Sequence, residues 1–411
     1  MVASRSHRLI PMSGRDPNER HRASTPLELL FDLTFVVAIS VTANQAAQLL
    51  AAGQTRAALV GFGFGMFACI WPWINFSWFA SAYDTDDSFM RLATMVQMAG
   101  VLIMALGLPE MFNGLVHQTF SNRVMVAGYV VMRIGMIALW IRAGLHDPRR
   151  RRTCFAYAKM LAVAQIGWTM LAVLQPTGFG RWLMLIVLYV IEVGGVYAVE
   201  SRYESTAWHA EHIAERYSLL TIITLGEVVL GTTTAIRALV DTTGWSVDAV
   251  LVAGAGVSLT FGMWWVYFIT PYGEILSRRR RAFGWGYGHL AVFVAIAAVG
   301  AGLQVAAHYA SRQSALGPVA TILCLVVPVG VFVITDFALF HHLLPGRDRF
   351  HLVLLLLTIG VAVASLAAAA TGVGLAWCLA IVMITPWITV VGYEWRGHAR
   401  VARLLAQLES D

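Results

Sequence analysis

Long stretches of apolar residues alternate along the chain with short segments that carry most of the charged residues. Twelve of these stretches are close to the length of about 20 residues that a helix needs to cross the hydrocarbon core of a bilayer. They lie near residues 27–50, 57–80, 91–108, 122–142, 155–174, 181–199, 215–237, 247–270, 285–308, 317–340, 350–371 and 373–393. The pattern predicts an all-α polytopic membrane protein with about twelve transmembrane helices.

The composition excludes a soluble enzyme. Apolar residues make up 58% of the 411 residues, charged residues make up 13%, and the mean hydropathy is +0.68. Globular proteins have about 45–50% apolar and about 25% charged residues, so the excess apolar surface has to face another apolar medium. The lipid bilayer is therefore the expected partner. The net charge of +6 lies in the gaps between apolar runs, which favours a role in membrane topology over nucleic-acid binding.

The basic residues predict the orientation of the chain. If the N-terminus is cytoplasmic, 23 Lys and Arg residues fall on the inner side and five on the outer side, with Arg133 inside a span. This asymmetry follows the positive-inside rule and predicts a plasma-membrane protein with both termini in the cytoplasm. The expected organisation is a basic tail (1–26), two membrane halves of six helices each (27–199 and 200–393) and a cytoplasmic C-terminal tail (394–411).

The two halves show a weak internal similarity. Residues 95–108 (MVQMAGVLIMALGL) align with residues 290–303 (LAVFVAIAAVGAGL), and ELLFDLTFVVAI at the start of the first helix aligns with ERYSLLTIITLG from Glu215. Because six is an even number of spans, such repeats would be parallel. The alternative is that apolar helices resemble each other by composition alone. We predict two parallel six-helix repeats.

Four longer motifs give the chain a family resemblance. They are GRDPNERHRASTPLELLFDLTFVVAIS (14–40), NFSWFASAYDTDD (75–87), WHAEHIAERYSLLTIITLGE (208–227), and WWVYF followed by WGYGHL. The chain resembles the bacterial low temperature requirement protein A family over most of its length. The resemblance implies a polytopic protein of the bacterial inner membrane that is linked to growth in the cold, and it implies no defined biochemical activity. Val228 stands where we expect a small hydroxyl residue.

Ionisable residues inside the spans are the candidate functional sites, because each costs about 2.5–3.5 kcal/mol in the hydrocarbon. Arg133, Glu192 and Glu227 project to the middle of the bilayer and are expected to meet there. Asp32 lies one turn inside the first helix. We interpret these four as candidates for proton or cation coupling, with Arg133 as the counter-charge. The alternative is a buried ion pair that only locks helices together.

A second group of candidates lies at the cytoplasmic rim. Glu28 follows Thr25-Pro26 in a capping-box pattern, which predicts a structural role at the start of the first helix. Three carboxylates precede the third helix, where they would suit its dipole or attract cations. The spacing of His212, Glu215 and Arg216 at the entrance of the seventh helix is more consistent with a network of polar contacts than with a metal site. The rim candidates are Glu28, Asp84, Asp86, Asp87, His212, Glu215 and Arg216.

These features favour a secondary transporter for an unidentified small molecule or ion. The alternative is a membrane-embedded enzyme that acts on lipids or lipid-linked intermediates, with the rim residues as acid and base. Walker, Gly-x-Ser-x-Gly and His-Glu-x-x-His motifs are missing from the sequence, so ATP-driven transport has no support. The four cysteines are far apart and indicate neither disulfides nor zinc. We predict no cofactor and no metal.

Overall fold

The computed structural model describes residues 9–17, 19, 22–119, 122–278, 282–344 and 349–403. Within these residues, twelve helices are long and apolar enough to cross a membrane, which confirms the all-α polytopic prediction. They are α1 (Pro26–Ala51), α2 (Thr55–Tyr83), α3 (Ser88–Val116), α4 (Arg123–His146), α5 (Arg151–Leu174), α6 (Gly178–Arg202), α7 (Ala210–Thr243), α8 (Val247–Ser277), α9 (Ala282–Ala310), α10 (Pro318–Leu343), α11 (Arg349–Ala370) and α12 (Leu375–Arg403).

Several of these helices are irregular. α6 contains a π-helical turn at Val190–Gly194, and α12 contains one at Tyr393–Gly397. α8 is regular to Phe268 and resumes as a short helix at Tyr272–Arg278. The Trp71-Pro72-Trp73 motif in the sequence of α2 predicts a break inside that helix, and this prediction is wrong. The helix continues through Pro72, and the amide of Asn75 donates to the carbonyl of Trp71 at 2.7 Å.

The chain divides into two compact units. The first contains Met1–Val41 and Ala68–Ile213, and the second contains Thr42–Phe67 and Ala214–Asp411. In the first unit, α4 packs against both α3 and α5. In the second unit, α10 packs against both α9 and α11, and α8 packs against α12. The proposed two-repeat arrangement stays a prediction.

Glycines bring α3 and α4 into backbone contact. A Cβ atom at Gly128 would lie 2.2 Å from the backbone nitrogen of Met104, and one at Gly100 would lie 2.4 Å from that of Met132. Gly107 and Gly135 make equally close approaches further along the same pair of helices. Small residues allow such contact in membranes, where the hydrophobic effect adds little to helix association. This seam holds the middle of α4 close to α3.

The distribution of polar residues is that of a membrane protein. Large apolar side chains are exposed along the spans, as with Leu106 (77% exposed) and Phe179 (80% exposed). Ionisable residues are instead buried inside the first unit, where Asp32 and Glu192 are 0% exposed. Polar groups in a bilayer face the protein interior because lipid cannot hydrogen-bond to them. The chain is therefore a multi-pass membrane protein.

The orientation in the membrane can be tested with cysteine labelling. Cysteines introduced at Pro148 and Ser277, both exposed, are expected to resist an impermeant thiol reagent added to intact cells, because the charge asymmetry predicts that these loops are cytoplasmic. Cysteines at the exposed positions Thr243 and Gln313 serve as controls and should be labelled. Labelling at Pro148 or Ser277, with protection at the control positions, would reverse the predicted topology.

Candidate functional site

The first unit contains a buried carboxylate that is surrounded by hydrogen-bond donors. Glu192 lies in the π-helical turn of α6, and its Oε2 accepts from Nη2 of Arg133 at 3.0 Å and from the indole N–H of Trp71 at 3.1 Å. Its Oε1 accepts from the hydroxyl of Tyr129 at 3.0 Å and from the indole N–H of Trp168 at 3.2 Å. Donors from α2, α4 and α5 therefore converge on one carboxylate of α6.

Arg133 and Glu192 form a fully buried ion pair. The side chains are 1% and 0% exposed, respectively. The same Nη2 of Arg133 also donates to the hydroxyl of Tyr129 at 2.8 Å, and the guanidinium lies 5.0 Å from the centre of the Tyr129 ring. Such a pair gains little net free energy because both charges are desolvated, but loss of one partner leaves an expensive unpaired charge.

The expectation that Arg133 pairs with a carboxylate is confirmed, and Glu192 is the partner. Glu227 belongs to the second unit, on α7, and is 1% exposed. There α9 approaches its backbone closely, since a Cβ atom at Gly300 would lie 2.6 Å from the carbonyl oxygen of Glu227. Glu227 is therefore embedded in the packing of α7 against α9.

Asp32 has a tryptophan partner from the same motif that serves Glu192. The indole N–H of Trp73 donates to Oδ1 of Asp32 at 2.6 Å, and both side chains are fully buried. The Trp71-Pro72-Trp73 motif on α2 thus supplies one donor to each of two buried carboxylates. Sequence reasoning interpreted this motif as a helix break and missed its donors. The signal was two indoles in a helix that also carries Asn75 and Ser77.

The predicted capping box at the start of α1 is confirmed. The backbone N–H of Thr25 donates to Oε2 of Glu28 at 2.8 Å, and the N–H of Glu28 is 3.3 Å from the hydroxyl oxygen of Thr25, which accepts from it. The carboxylate also lies 3.2 Å from Nε2 of His212. Among the residues that the structure describes, no group of three metal-ligating side chains converges.

Arg22 donates hydrogen bonds to carbonyl groups at the C-terminal end of α2, at this rim. Its guanidinium donates to the carbonyl of Ala80 at 2.6 Å and to that of Ser81. The hydroxyl of Ser81 accepts from the backbone N–H of His209 at 2.9 Å. Burial lowers the pKa of Arg22, and the nearby Arg15 lowers it further, while Glu28 raises it. The Ser81 carbonyl lies in the last turn, where a helix leaves carbonyl groups without internal partners, and the Ala80 carbonyl also accepts from the backbone N–H of Asp84.

The three carboxylates before α3 have separate structural roles. Asp87 caps α3 by accepting from the N–H of Met90 at 3.0 Å and forms a buried ion pair with Arg142. Burial by itself would raise the pKa of Asp87, but hydrogen bonds from Arg142, Met90 and Ile10 hold it well below the ordinary value. Asp86 pairs with Arg91 at 2.9 Å.

The pKa of Asp84, the third of these carboxylates, shifts in the opposite direction to that of Asp87. Burial raises its pKa to about 6, and the negative charge of Glu28 contributes to the increase. The remaining rim candidates, Glu215 and Arg216, lie near the start of α7 in the second unit; Arg216 is fully buried and Glu215 is half-buried. The rim residues of the first unit thus stabilise helix ends, and the π-helical site around Glu192 is the stronger candidate for function.

Comparison with known proteins assigns the chain to a family. Residues 23–385 match the family model described as bacterial low temperature requirement A protein (LtrA). An uncharacterized protein of Rhizobium meliloti (strain 1021) is 29% identical over 266 residues, which cover 62% of this chain and 60% of the relative. The match thus spans less than two thirds of that relative's length, and no solved structure matches the chain. Because the family model covers most of the chain and its buried site, the protein belongs to the bacterial low temperature requirement A family.

Proposed function

We propose that the protein is a secondary transporter of the bacterial plasma membrane, with both termini cytoplasmic, in which the Glu192–Arg133 pair is the coupling site. The observation that carries the proposal is the convergence of a guanidinium, two indoles and a hydroxyl on one buried carboxylate in the middle of a span. Intramembrane ionisable groups that face the protein interior commonly mark ion or substrate pathways.

The chemistry of the pair suits a switch of partners. As long as Arg133 and Glu192 contact each other, both charges are compensated. A movement that separates them is favourable only if another charge replaces each partner, because an uncompensated charge at this depth is costly. A proton or cation would neutralise Glu192, and an anionic group would neutralise Arg133. Separation of the pair is thereby coupled to the binding of a charged species.

The local backbone gives Glu192 freedom to move. Its π-helical turn contains one residue more than an α-helical turn, and such turns occur frequently at functional sites. Gly194 lies two residues after Glu192, and a Cβ atom at Gly194 would have no neighbour nearer than 3.8 Å. A shift of the extra residue along α6 would turn the carboxylate away from Arg133 without unfolding the helix.

The distribution of polar groups supports transport over lipid chemistry. An enzyme that acts on lipid headgroups needs its acid and base together at one membrane surface. In the first unit, the rim residues Arg22, Asp87 and Arg142 are engaged in closing helix ends, whereas Glu192 and Asp32 lie within the spans. Buried carboxylates within a helical bundle are typical of secondary transporters.

The proposal is tested by identifying a transported solute. Metabolites and lipids are compared between cells with and without the protein, and each compound that changes is assayed for uptake into liposomes that contain the purified full-length chain. We expect a water-soluble solute whose uptake depends on the protein and on an imposed ion gradient. A change confined to lipid composition, with no protein-dependent uptake, would support the enzyme alternative and contradict transport.

Glu227 in the second unit is expected to participate in the same function. Glu227→Gln keeps the side-chain volume and one acceptor oxygen, and it should accumulate to the normal level. It should nevertheless fail to restore growth in the cold to a strain that lacks the protein. Asp241→Asn, on an exposed part of the same helix, is the control and should restore growth. Full activity of Glu227→Gln would exclude this residue from the mechanism.

A further inference from the structure

A cavity at one end of the second unit carries two opposite charges that do not pair with each other. Its volume is about 410 Å³, and it lies where α7 ends, α8 begins and α9 turns into α10. Asp248 of α8 and Arg312 of the α9–α10 turn both line it. Among the described residues, neither side chain forms an ion pair. The charge asymmetry of the loops predicts that this end of the unit faces away from the cytoplasm.

Arg312 has a backbone conformation that favours glycine. Arg312 has φ of 57°, a left-handed conformation, and it is the one non-glycine residue with positive φ among the described residues of this unit. Its N–H donates to the carbonyl of Tyr309, and the N–H of Gln313 donates to that of His308, which is the hydrogen-bond pattern of a Schellman motif.

Two other helices of this unit end in the same motif with glycine. Gly53 after α1 and Gly372 after α11 occupy the left-handed position, with φ of 76° and 85°. Glycine adopts this conformation without the steric cost that a side chain imposes. Arginine at the third such position therefore costs stability at the turn, and its guanidinium lines the cavity. Strain of this kind is typical of functional positions.

The lining determines which ligand fits. Arg312 offers a guanidinium to an anionic group, and Asp248 offers a carboxylate to a cationic group. Tyr309 also lines the cavity, and Leu239, Val252 and Leu375 provide apolar contacts. The volume lies within the range of about 300–1,000 Å³ for small-molecule sites, which typically combine apolar walls with a few polar groups.

We infer that this cavity binds a small zwitterion, an α-amino acid or a compound of the same charge pattern, with its carboxylate on Arg312 and its ammonium group on Asp248. An anion alone would leave Asp248 without a partner, and an amine alone would leave Arg312 without one. A zwitterion satisfies both at once. Binding of a zwitterion to this cavity does not depend on the proposed transport. A role of the cavity as the entry site for a transported solute rests on the proposed function.

Binding is measured on the purified full-length protein in detergent by the ligand-induced rise in melting temperature, with a panel of the common α-amino acids and glycine betaine. The best ligand is compared with its decarboxylated amine and with its deaminated acid. We expect the zwitterion to bind and each analogue to bind roughly two- to five-fold more weakly, since each loses one charged contact with an exposed side chain. If no zwitterion in the panel raises the melting temperature, the inference is wrong.

Two variants tie the binding to this cavity. Arg312→Gly is expected to melt at the wild-type temperature or above it, because glycine suits the left-handed turn, and to lose binding by roughly two- to five-fold. Asp248→Asn should lose binding similarly. Asp241→Asn and Arg237→Gln are exposed controls near the same end that do not line the cavity, and should bind normally. Unchanged binding in Arg312→Gly and Asp248→Asn would overturn the assignment.

The outcome is separable from that of the proposed function. Binding that depends on Arg312 and Asp248, without uptake of the same compound into liposomes, would support the cavity and contradict transport of that zwitterion. Uptake of a different solute, with no zwitterion binding in the panel, would support transport and overturn the cavity assignment.

Discussion

Glu192→Gln is expected to be strongly destabilising, although it changes one atom of the side chain. The amide keeps one acceptor oxygen, so its NH2 group replaces an oxygen that accepts from Trp71 or from Trp168. The buried guanidinium of Arg133 also loses its compensating charge. Breaking a buried pair by removing one charge costs about 3–5 kcal/mol. The melting temperature of the purified protein and its accumulation in the membrane should both fall.

Glu200→Gln is the matched control for this prediction. Glu200 lies on the same helix and accepts from the hydroxyl of Tyr157 at 2.6 Å, without a guanidinium partner among the described residues. Its replacement should cost about 1 kcal/mol, the value of an ordinary hydrogen bond. If Glu192→Gln and Glu200→Gln prove equally stable, the Arg133–Glu192 pair does not hold the unit together.

Removal of both charges should restore the stability that either single change loses. Arg133→Met combined with Glu192→Gln leaves no unpaired charge, and methionine fills the volume of the arginine stem. Replacement of buried ion pairs by uncharged residues is often neutral or stabilising. The double variant should therefore be more stable than either single variant, and this coupling can be measured as a double-mutant cycle.

The second large effect is expected at the glycine seam between α3 and α4. In Gly128→Ala the new methyl group would lie 2.2 Å from the backbone nitrogen of Met104 and 2.6 Å from the carbonyl oxygen of Gly100. Neither atom can move by a rotamer change, so α4 must shift away from α3. Overpacking of this kind costs about 1–3 kcal/mol or more.

The shift should also disturb the site, because Tyr129 and Arg133 lie on the displaced helix. Gly194→Ala is the control, since a Cβ atom there has no neighbour nearer than 3.8 Å. Thermal unfolding of the two purified variants, compared with wild type, measures the effect. If Gly128→Ala has the same melting temperature as Gly194→Ala and wild type, α3 and α4 can separate without a loss of stability.

The sequence predicted the features that depend on residues close together in the chain, or on the free-energy cost of placing a charge in the bilayer. The capping box of Thr25 and Glu28 is a pattern of four consecutive residues, and the structure confirms its hydrogen bonds. The pairing of Arg133 with a buried carboxylate followed from the cost of an isolated charge in hydrocarbon. The helix count followed from the length of the apolar runs.

The remaining contacts could not be predicted because they depend on how helices are rotated about their axes. Nothing in the apolar pattern of α2 or α5 indicates that Trp71 and Trp168 point toward Glu192. The pairing of Asp87 with Arg142 joins residues that are 55 positions apart. The predicted role of Asp87 was based on the helix that it precedes, so the helix dipole was identified and the ion pair with Arg142 was missed.

The most direct test of the central claim is solute uptake by liposomes that contain the Arg133→Met, Glu192→Gln double variant. We expect this variant to fold and to melt near the wild-type temperature. It should nevertheless take up none of the solute that wild type accumulates under an ion gradient, because the group that changes partner is missing. Uptake equal to that of wild type would contradict the account and leave the buried pair as a contact between helices.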